Sequence, residues 1–240
     1  MLALVFVARS VAAESSGFSP WQESFTGRLE ALAVLETLNA DLLSHDGATL
    51  TLDRWCGGHH LASSAHVVAE LIHGTDKAPT AEQRQLLGVM PSEPIRYRKV
   101  CLSCGDHVLS EADNWCVPSR LTPDMTQQLD HTNIAFGRAV HALNFRRRAL
   151  SAKLLWTPLP HNWDMGEPIP ERQETTLAVP HAVLEHRAML TLPNGIPFSQ
   201  VVETYTSEVL AFPQPQGADQ RCRRSVSARR SKIVTGVLFR

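Results

Sequence analysis

Two strand-like stretches, 183–192 and 197–207, constrain the fold more than any other feature of the sequence. A proline-asparagine-glycine turn joins them, and an Asn-Gly pair between two such stretches is a strong local indicator of a β-hairpin. In the second stretch, the two-residue period of a strand places three side chains on one face: Val201, Glu203 and Tyr205. The pattern predicts an antiparallel hairpin with a glutamate between an aliphatic and an aromatic neighbour.

Glu203 has two interpretations. If its face of the strand meets the core, the carboxyl group loses solvent, which favours the neutral form and suits proton transfer. If that face meets solvent, Glu203 is an ordinary surface acid, which is the commoner state of acidic residues. The remainder of the chain favours the first interpretation.

The chain begins with helical patterns and continues with strand patterns. Apolar residues spaced by three and four positions predict a helix over 23–44. Shorter helices are predicted from Asp46 to about Trp55, from Thr80 to Leu87, near 123–129 and near 135–142. Strands are predicted at 66–73, 95–104, 107–117, 144–156, 183–192 and 197–207. This succession indicates the α+β class.

The 240 residues suit one large domain with two atypical ends. We predict a flexible or signal-like N-terminus over 1–20, a domain over 21–212 and a disordered basic tail over 213–240. Five prolines between 157 and 180 predict a long surface connection within the domain. Seven of the 23 Lys and Arg but only one of the 24 Asp and Glu follow Phe212, which leaves a net charge of −7 before the tail.

This charge distribution disfavours a nucleic-acid-binding domain, which would carry its basic residues on the folded body. No apolar stretch approaches the roughly 20 residues of a membrane-spanning helix, so no integral membrane segment is predicted. The apolar residues from Met1 to Ala13 resemble a signal peptide only weakly, because Arg9 interrupts them. A cytoplasmic location is predicted, and export stays an alternative. Nothing in the sequence predicts an oligomeric state.

The five cysteines are an odd number and do not suggest a complete disulfide framework. Cys101 and Cys104 resemble half of a zinc site, which Cys56 and the pair His59-His60 could complete. In a strand, however, residues three positions apart face opposite sides. We therefore predict no metal site.

Three arginines are candidates for binding an anionic ligand. Arg98 shares a strand face with Val100 and Leu102, and a buried guanidinium needs a partner, either a protein acid or a substrate carboxylate. Arg138, at the start of a short helix, and Arg187 are the next candidates. The run 146–148 alternates between the two faces of a strand and is predicted to be mostly solvated.

Four separated pieces of the chain resemble the chorismate pyruvate-lyase family. They are the strand and turn 97–105, the pair Val117-Pro118, the helix start 135–138 and the hairpin segments within 190–205. Their order and approximate spacing are similar to those of the family over about 42–212. The resemblance implies an antiparallel sheet of about six strands with helices on one side, enclosing a ligand cavity.

The resemblance also implies a carbon–oxygen lyase that converts chorismate to 4-hydroxybenzoate and pyruvate, for ubiquinone synthesis, with no cofactor. Arg98 corresponds to the arginine that binds a substrate carboxylate, and Glu203 to the active-site glutamate, as acid or as base. Three positions correspond to further ligand contacts: Ala48 in place of a methionine, Phe136 in place of a leucine, and Gly137.

Two alternatives share this fold. One is a non-catalytic domain that senses an aromatic carboxylate, as in some transcription regulators; residues 1–60 hold no basic recognition helix, which disfavours a complete regulator but not a separate sensor. The other is a paralogue that keeps the fold without activity. Incubation with chorismate distinguishes turnover from binding.

Overall fold

The computed structural model describes residues 21–45, 47–170 and 174–215. The predictions for 1–20, for Asp46 and for the tail beyond 215 lie outside these residues. The described chain is an α+β domain around one six-stranded antiparallel sheet, as predicted, with the strand order β1-β2-β3-β6-β5-β4. The strands are Val68–Leu71, Arg96–Cys104, His107–Cys116, Arg146–Leu154, Ala182–Thr191 and Pro197–Thr206 (β1 to β6).

The helices are Phe25–Ser44, Ala48–Gly58, Ala81–Leu87, Pro123–His131 and Phe136–Ala139 (α1 to α5). The capping box predicted for α3 is present, because the Thr80 hydroxyl accepts from the Gln83 N–H and the Gln83 side chain accepts from the Thr80 N–H. The predicted helix near 135–142 is shorter than expected and ends in a separate 3-10 turn, His141–Leu143. Among the described residues, none of the helices combines the length and apolarity needed to cross a membrane.

The hairpin that closes the sheet forms as predicted. β5 and β6 pair antiparallel, and Gly195 adopts a φ of +85°, a conformation that glycine tolerates without strain. Glu203 pairs with His186 across the two strands and lies on the same face as Val201 and Tyr205. All four of these residues are buried, so this face of the hairpin meets the core.

The core lies between this face of the sheet and the first two helices. Leu35, Leu38 and Leu42 of α1 are fully buried, in the spacing that the sequence predicted, and pack in one cluster with Leu52 of α2 and Tyr205 of β6. A second cluster forms where α4 and α5 meet Leu190 and Phe198. The gap between the two clusters is where the sheet can hold a ligand.

The proline-rich connection between β4 and β5 is less detached than predicted. Thr176 forms a β-bridge with Gln22, and the Glu23 N–H donates to the Thr175 carbonyl oxygen over 3.1 Å. The Phe25 ring packs against that of Trp163, with ring centroids 6.0 Å apart. The connection thus fixes the start of α1 against the domain, and its residues 171–173 lie outside the described residues.

Cys56 of α2 and Cys104 of β2 form a disulfide, which the sequence analysis did not predict. Cys101 lies half-buried on the opposite face of β2 from Cys104, as the strand alternation required. The disulfide could not be inferred from local sequence, because the two cysteines are 48 residues apart and the packing of α2 on the sheet brings them together. The bridge attaches α2 directly to the sheet.

We expect Cys56→Ser to lower the free energy of unfolding by about 2–4 kcal/mol, because the disulfide restricts the unfolded chain across a loop of 48 residues. Urea unfolding in the absence of reductant measures the change. Cys101→Ser is the matched control, since Cys101 is a free thiol, and it should cost less than about 0.5 kcal/mol. Equal effects of the two substitutions would contradict the bridge.

Candidate ligand pocket

The floor of a pocket is formed by the middle of the sheet. Arg98 of β2 pairs with Asn114 of β3, which in turn pairs with Val201 of β6. In the next row, Val100 pairs with Ala112, and Ala112 pairs with Glu203. Because Ala112 has a short side chain between two larger neighbours, the floor has a depression there. All six side chains line one pocket.

The roof is formed by the beginnings of two helices and one loop residue. Gly47, Ala48 and Thr49 at the start of α2, Phe136 and Gly137 at the start of α5, and Phe145 before β4 line the pocket from this side, and the other lining residues are Leu102, Arg147 and Leu190. The first helical turn leaves backbone N–H groups without helical acceptors, so these positions can donate hydrogen bonds without a polar side chain. Ala48, which the resemblance assigns to ligand contact, could therefore contact a ligand through its backbone N–H.

Arg98 is the main cationic group of the floor. The residue is 8% exposed, and its Nη2 donates to the carbonyl oxygens of Thr132 and Ile134, over 3.4 and 3.1 Å. Its Nε and Nη1 are buried and have no hydrogen-bond partner among the described residues. Burial lowers the pKa of the guanidinium from its ordinary value, but an arginine keeps its charge at neutral pH. Nε and Nη1 of Arg98 could therefore both donate to a ligand.

Glu203 lies in the same pocket, 7% exposed, as the sequence predicted. Its Oε2 accepts hydrogen bonds from Arg147 of β4 and, over 3.1 Å, from the Tyr205 hydroxyl. Burial and the charge of Glu203 raise the pKa of Tyr205 well above its ordinary value, so that the phenol stays protonated and donates.

The strand register sets the separation of Arg98 and Glu203. They stand on strands two apart, and Glu203 is two residues beyond the position level with Arg98. With strands about 4.8 Å apart and a rise of about 3.4 Å per residue, their Cα atoms are about 12 Å apart. The intervening floor consists of apolar side chains and Asn114. An aromatic ring with a carboxylate at one end fits this separation.

Phe136 and Gly137 lie in the roof, as the resemblance implied. The Phe136 ring is nearly parallel to that of Phe198, with an interplanar angle of 19° and centroids 6.3 Å apart. Gly137 stands close to the Thr49 hydroxyl, at 3.8 Å from where a Cβ would be, so a small residue keeps α5 near α2. The pocket therefore contains five of the seven site residues that the sequence predicted: Ala48, Arg98, Phe136, Gly137 and Glu203.

The structure does not bring the other two, Arg138 and Arg187, to this pocket. Arg138 donates to a carboxylate oxygen of Asp53 over 2.6 Å and to the Val67 carbonyl oxygen over 2.5 Å, and so connects α5 to α2 and β1. Arg187 is exposed, because strand alternation sends it to the opposite side of β5 from His186. Arg187 is thus oriented away from the pocket, whereas Arg138 lines a neighbouring cavity that shares Gly47, Thr49, Gly137 and Phe145 with it.

Arg147 and Asn114 are two polar residues of the pocket that the sequence analysis did not identify. Arg147 was placed in a mostly solvated run, but its side chain is only 5% exposed, whereas Arg146 and Arg148 are exposed. The alternation that separated Arg147 from its neighbours was the signal that could have found it. Asn114 gave no signal, since its position on the floor depends on strand register. Among the described residues, no group of three or more His, Cys, Asp or Glu could hold a metal ion.

The pocket is narrow and adjoins a larger space. Its volume is about 50 Å³. A neighbouring cavity of about 640 Å³ shares with it Gly47, Thr49, Gly137 and Phe145. These shared residues lie between the two spaces.

Comparison with known proteins gives one close relative. No family model matches the sequence. The uncharacterized protein y4mC of Sinorhizobium fredii is 52% identical over 216 residues, which cover 90% of this chain and 91% of that protein. The chain belongs to the y4mC family. The name of this relative describes no activity.

The solved structures to which this y4mC family member is similar include those of three bacterial proteins. The crystal structure of a possible transcriptional regulator, YydK from Bacillus subtilis, is 17% identical with a TM-score of 0.37, over 63% of this chain and 62% of that one. PhnF from Mycobacterium smegmatis is 12% identical with a TM-score of 0.41, over 64% of each chain. A GntR-family regulator from Enterococcus faecalis is 14% identical with a TM-score of 0.38, over 62% of this chain and 99% of that one.

The chain thus spans less than two thirds of YydK and of PhnF. Because all three TM-scores are below 0.5 and all three identities are below 20%, these similarities support no conclusion about function.

His186 lies behind the pocket of this y4mC family member. It is fully buried, and its Nε2 donates to the Asn39 side-chain oxygen over 2.8 Å. Burial and, secondly, the charge of Arg147 lower the pKa of His186 to about 4. Above pH 6.5 the imidazole is neutral in both the folded and the unfolded chain; between pH 6.5 and 4 only the unfolded chain binds the proton.

We therefore expect His186 to reduce the free energy of unfolding by about 2–3 kcal/mol as the pH falls from 7 to 4.5, since one pKa unit corresponds to about 1.4 kcal/mol. Urea unfolding at the two pH values measures this loss. His186→Leu should reduce the pH dependence by that amount relative to the unaltered protein. An unchanged pH dependence in this variant would disprove the assignment.

Proposed function

We propose that this protein binds a small aromatic carboxylate in the pocket between the sheet and the helices. The observation that carries the proposal is Arg98, which lines the pocket and whose Nε and Nη1 are buried without a hydrogen-bond partner among the described residues. Burying a donor without an acceptor costs free energy, and a carboxylate satisfies two guanidinium donors at once. The middle of the pocket is apolar and suits a ring.

The charge of the lining favours a ligand with one negative charge. Among the described residues, the charged side chains that line the pocket are Arg98, Arg147 and Glu203, which gives a net charge of +1. Arg147 and Glu203 form an ion pair, so Arg98 supplies the excess charge. A monocarboxylate such as 4-hydroxybenzoate balances this charge, whereas chorismate, with two carboxylates, exceeds it. On this ground a binding or sensing role is our first proposal.

The side chains of the roof and the floor favour an aromatic ligand. Phe136 and Phe145 face the sheet above Val201 and Ala112, and all four line the pocket. Flat rings and branched aliphatic side chains pack favourably on the faces of an aromatic ligand. The depression above Ala112 lies between Arg98 and Glu203, where the ring would be held.

A second candidate is the cofactor-independent lyase that acts on chorismate, and Glu203 is the observation that favours it. In this reaction a ring carbon loses a proton and the adjacent ring carbon loses its bond to the enolpyruvyl ether oxygen. The ring becomes aromatic, and the enolpyruvate that leaves takes up a proton to give pyruvate. The enzyme has only to orient chorismate and accept one proton.

In this second proposal Glu203 is the base. Arg147 and Tyr205 both donate to Oε2 and fix its position, and we assign the acceptance of the ring proton to Oε1. Arg98 binds the ring carboxylate at the opposite end of the pocket. Enclosure by the roof keeps water away from the reacting carbons.

One experiment separates the two proposals. Purified protein is titrated with 4-hydroxybenzoate by calorimetry, and in parallel is incubated with chorismate while pyruvate and 4-hydroxybenzoate are quantified. Binding without turnover supports the sensor. Turnover that Glu203→Gln removes, while 4-hydroxybenzoate still binds, supports the lyase. Neither binding nor turnover would refute both.

A further inference from the structure

We propose that Asn114 is a specificity-determining residue that donates its side-chain amide to the same ligand carboxylate as Arg98. The inference rests on the proposed binding function and specifies how the site distinguishes a carboxylate from its neutral analogue. Neither the sequence pattern nor the resemblance pointed to Asn114. Asn114 lies on the floor of the pocket, on β3.

Asn114 and Arg98 are direct partners across β3 and β2, and both side chains line the pocket. Cross-strand partners on one face have Cβ atoms about 5 Å apart, which is close enough for both side chains to contact the same carboxylate. Asn114 is only 4% exposed, so its amide is held by its surroundings and does not move freely in solvent.

The neighbouring Ser199 fixes which end of the amide faces the ligand. The Ser199 hydroxyl, fully buried on β6, donates to Oδ1 of Asn114 over 3.1 Å. Oδ1 is therefore occupied, and Nδ2, which leaves the amide carbon on the other side, has no acceptor among the described residues. Nδ2 and the two unpartnered nitrogens of Arg98 then supply three donors to one carboxylate.

Three donors and, among the described residues that line this end of the pocket, no side-chain acceptor left without a donor select for an oxygen pair that only accepts hydrogen bonds. A carboxylate meets this condition, whereas a carboxamide presents an NH₂ group to one of the donors and leaves it without an acceptor. Mispaired polar groups of this kind give strong discrimination in buried sites. We expect 4-hydroxybenzoate to bind about 100-fold or more tightly than 4-hydroxybenzamide.

The test is a set of calorimetric titrations with these two ligands on the full chain. Asn114→Asp has the same shape but places an acceptor beside Arg98, so it should weaken 4-hydroxybenzoate binding about 100-fold and strengthen 4-hydroxybenzamide binding. Asn114→Ala should weaken 4-hydroxybenzoate about tenfold, the effect of one hydrogen bond. Asn194→Asp, in the exposed turn of the closing hairpin, is the matched control and should change neither affinity.

The outcomes distinguish a failure of the role of Asn114 from a failure of the proposed binding function. A purely structural role for Asn114 would weaken both ligands equally, and that result overturns this inference, as does unchanged binding in both Asn114 variants. If Arg98→Gln removes 4-hydroxybenzoate binding in the same series, the proposed function stands without Asn114. If the unaltered protein binds neither ligand, the proposed function and this inference fail together. A change in thermal unfolding identifies any variant whose fold is lost, and Asn114→Ala then decides.

Discussion

Arg98→Gln should weaken the binding of 4-hydroxybenzoate at least about 100-fold, because it removes the charge and two donors that face the ligand. Hydrogen bonds to a charged group contribute about 1.5–3 kcal/mol each, and about 2.7 kcal/mol corresponds to 100-fold. Glutamine keeps part of the apolar stem and a single amide. Calorimetric titration at neutral pH measures the change.

The fold should survive this substitution. Among the described residues, Arg98 makes two side-chain hydrogen bonds, both to carbonyl oxygens that follow α4, so its removal costs the domain little compared with its effect on the ligand. Removing a buried guanidinium that has no ion-pair partner among the described residues offsets part of that cost. Thermal unfolding should therefore change by a few degrees at most.

Arg187→Gln is the matched control. It makes the same chemical change in the same sheet, but Arg187 is exposed on the side away from the pocket. We expect its affinity for 4-hydroxybenzoate to equal that of the unaltered protein. Equal losses in the two variants would mean that net charge, not the pocket, governs binding, and would contradict the role of Arg98.

The parts of the fold that short-range signals determine were predictable from the sequence. The leucine spacing of α1 and the Asn-Gly turn between β5 and β6 each contain their own evidence, and both elements lie within two residues of the expected bounds. The inward side of β6 followed from strand alternation once the turn was fixed. Glu203 shares its strand face with Val201 and Tyr205, and Arg98 shares its own with Val100 and Leu102, so the apolar neighbours favoured the core side for both.

The parts that depend on distant pairing were not predictable. Arg138 is paired with Asp53, 85 residues away, and Cys56 with Cys104, 48 residues away, and no local pattern identifies either partner. Arg147 shows the intermediate case. Alternation correctly set it apart from Arg146 and Arg148, but its burial follows from α1, whose Leu42 carbonyl oxygen accepts from it over 3.3 Å. The position of α1 over β4 is a tertiary fact.

The ion pair of Arg147 and Glu203 gives the largest expected effect on stability. Its two side chains are 5% and 9% exposed, and both charges are out of water. Arg147→Met removes the positive charge and leaves the carboxylate with the Tyr205 hydroxyl. Breaking a buried pair from one side costs about 3–5 kcal/mol, because the remaining charge loses its compensation. Urea unfolding at neutral pH measures the loss.

Arg146→Met is the matched control, since Arg146 is the preceding residue of the same edge strand and is exposed. It should change the free energy of unfolding by less than about 0.5 kcal/mol. A large loss in this variant would show that the strand tolerates no methionine, and the effect at Arg147 would then say nothing about charge.

The double variant Arg147→Met, Glu203→Gln separates the two contributions. If the loss in Arg147→Met arises from an uncompensated carboxylate, neutralising that carboxylate should restore more than half of it, because a buried glutamine keeps the hydrogen bond from Tyr205 and carries no charge. If the loss arises from the missing volume of arginine, the double variant should be no more stable than the single one. Restoration would mean that Arg147 is present to hold a charged Glu203 at the pocket, which is the state that the proposed base requires. An unrestored double variant would remove the physical reason for expecting an ionised Glu203 there.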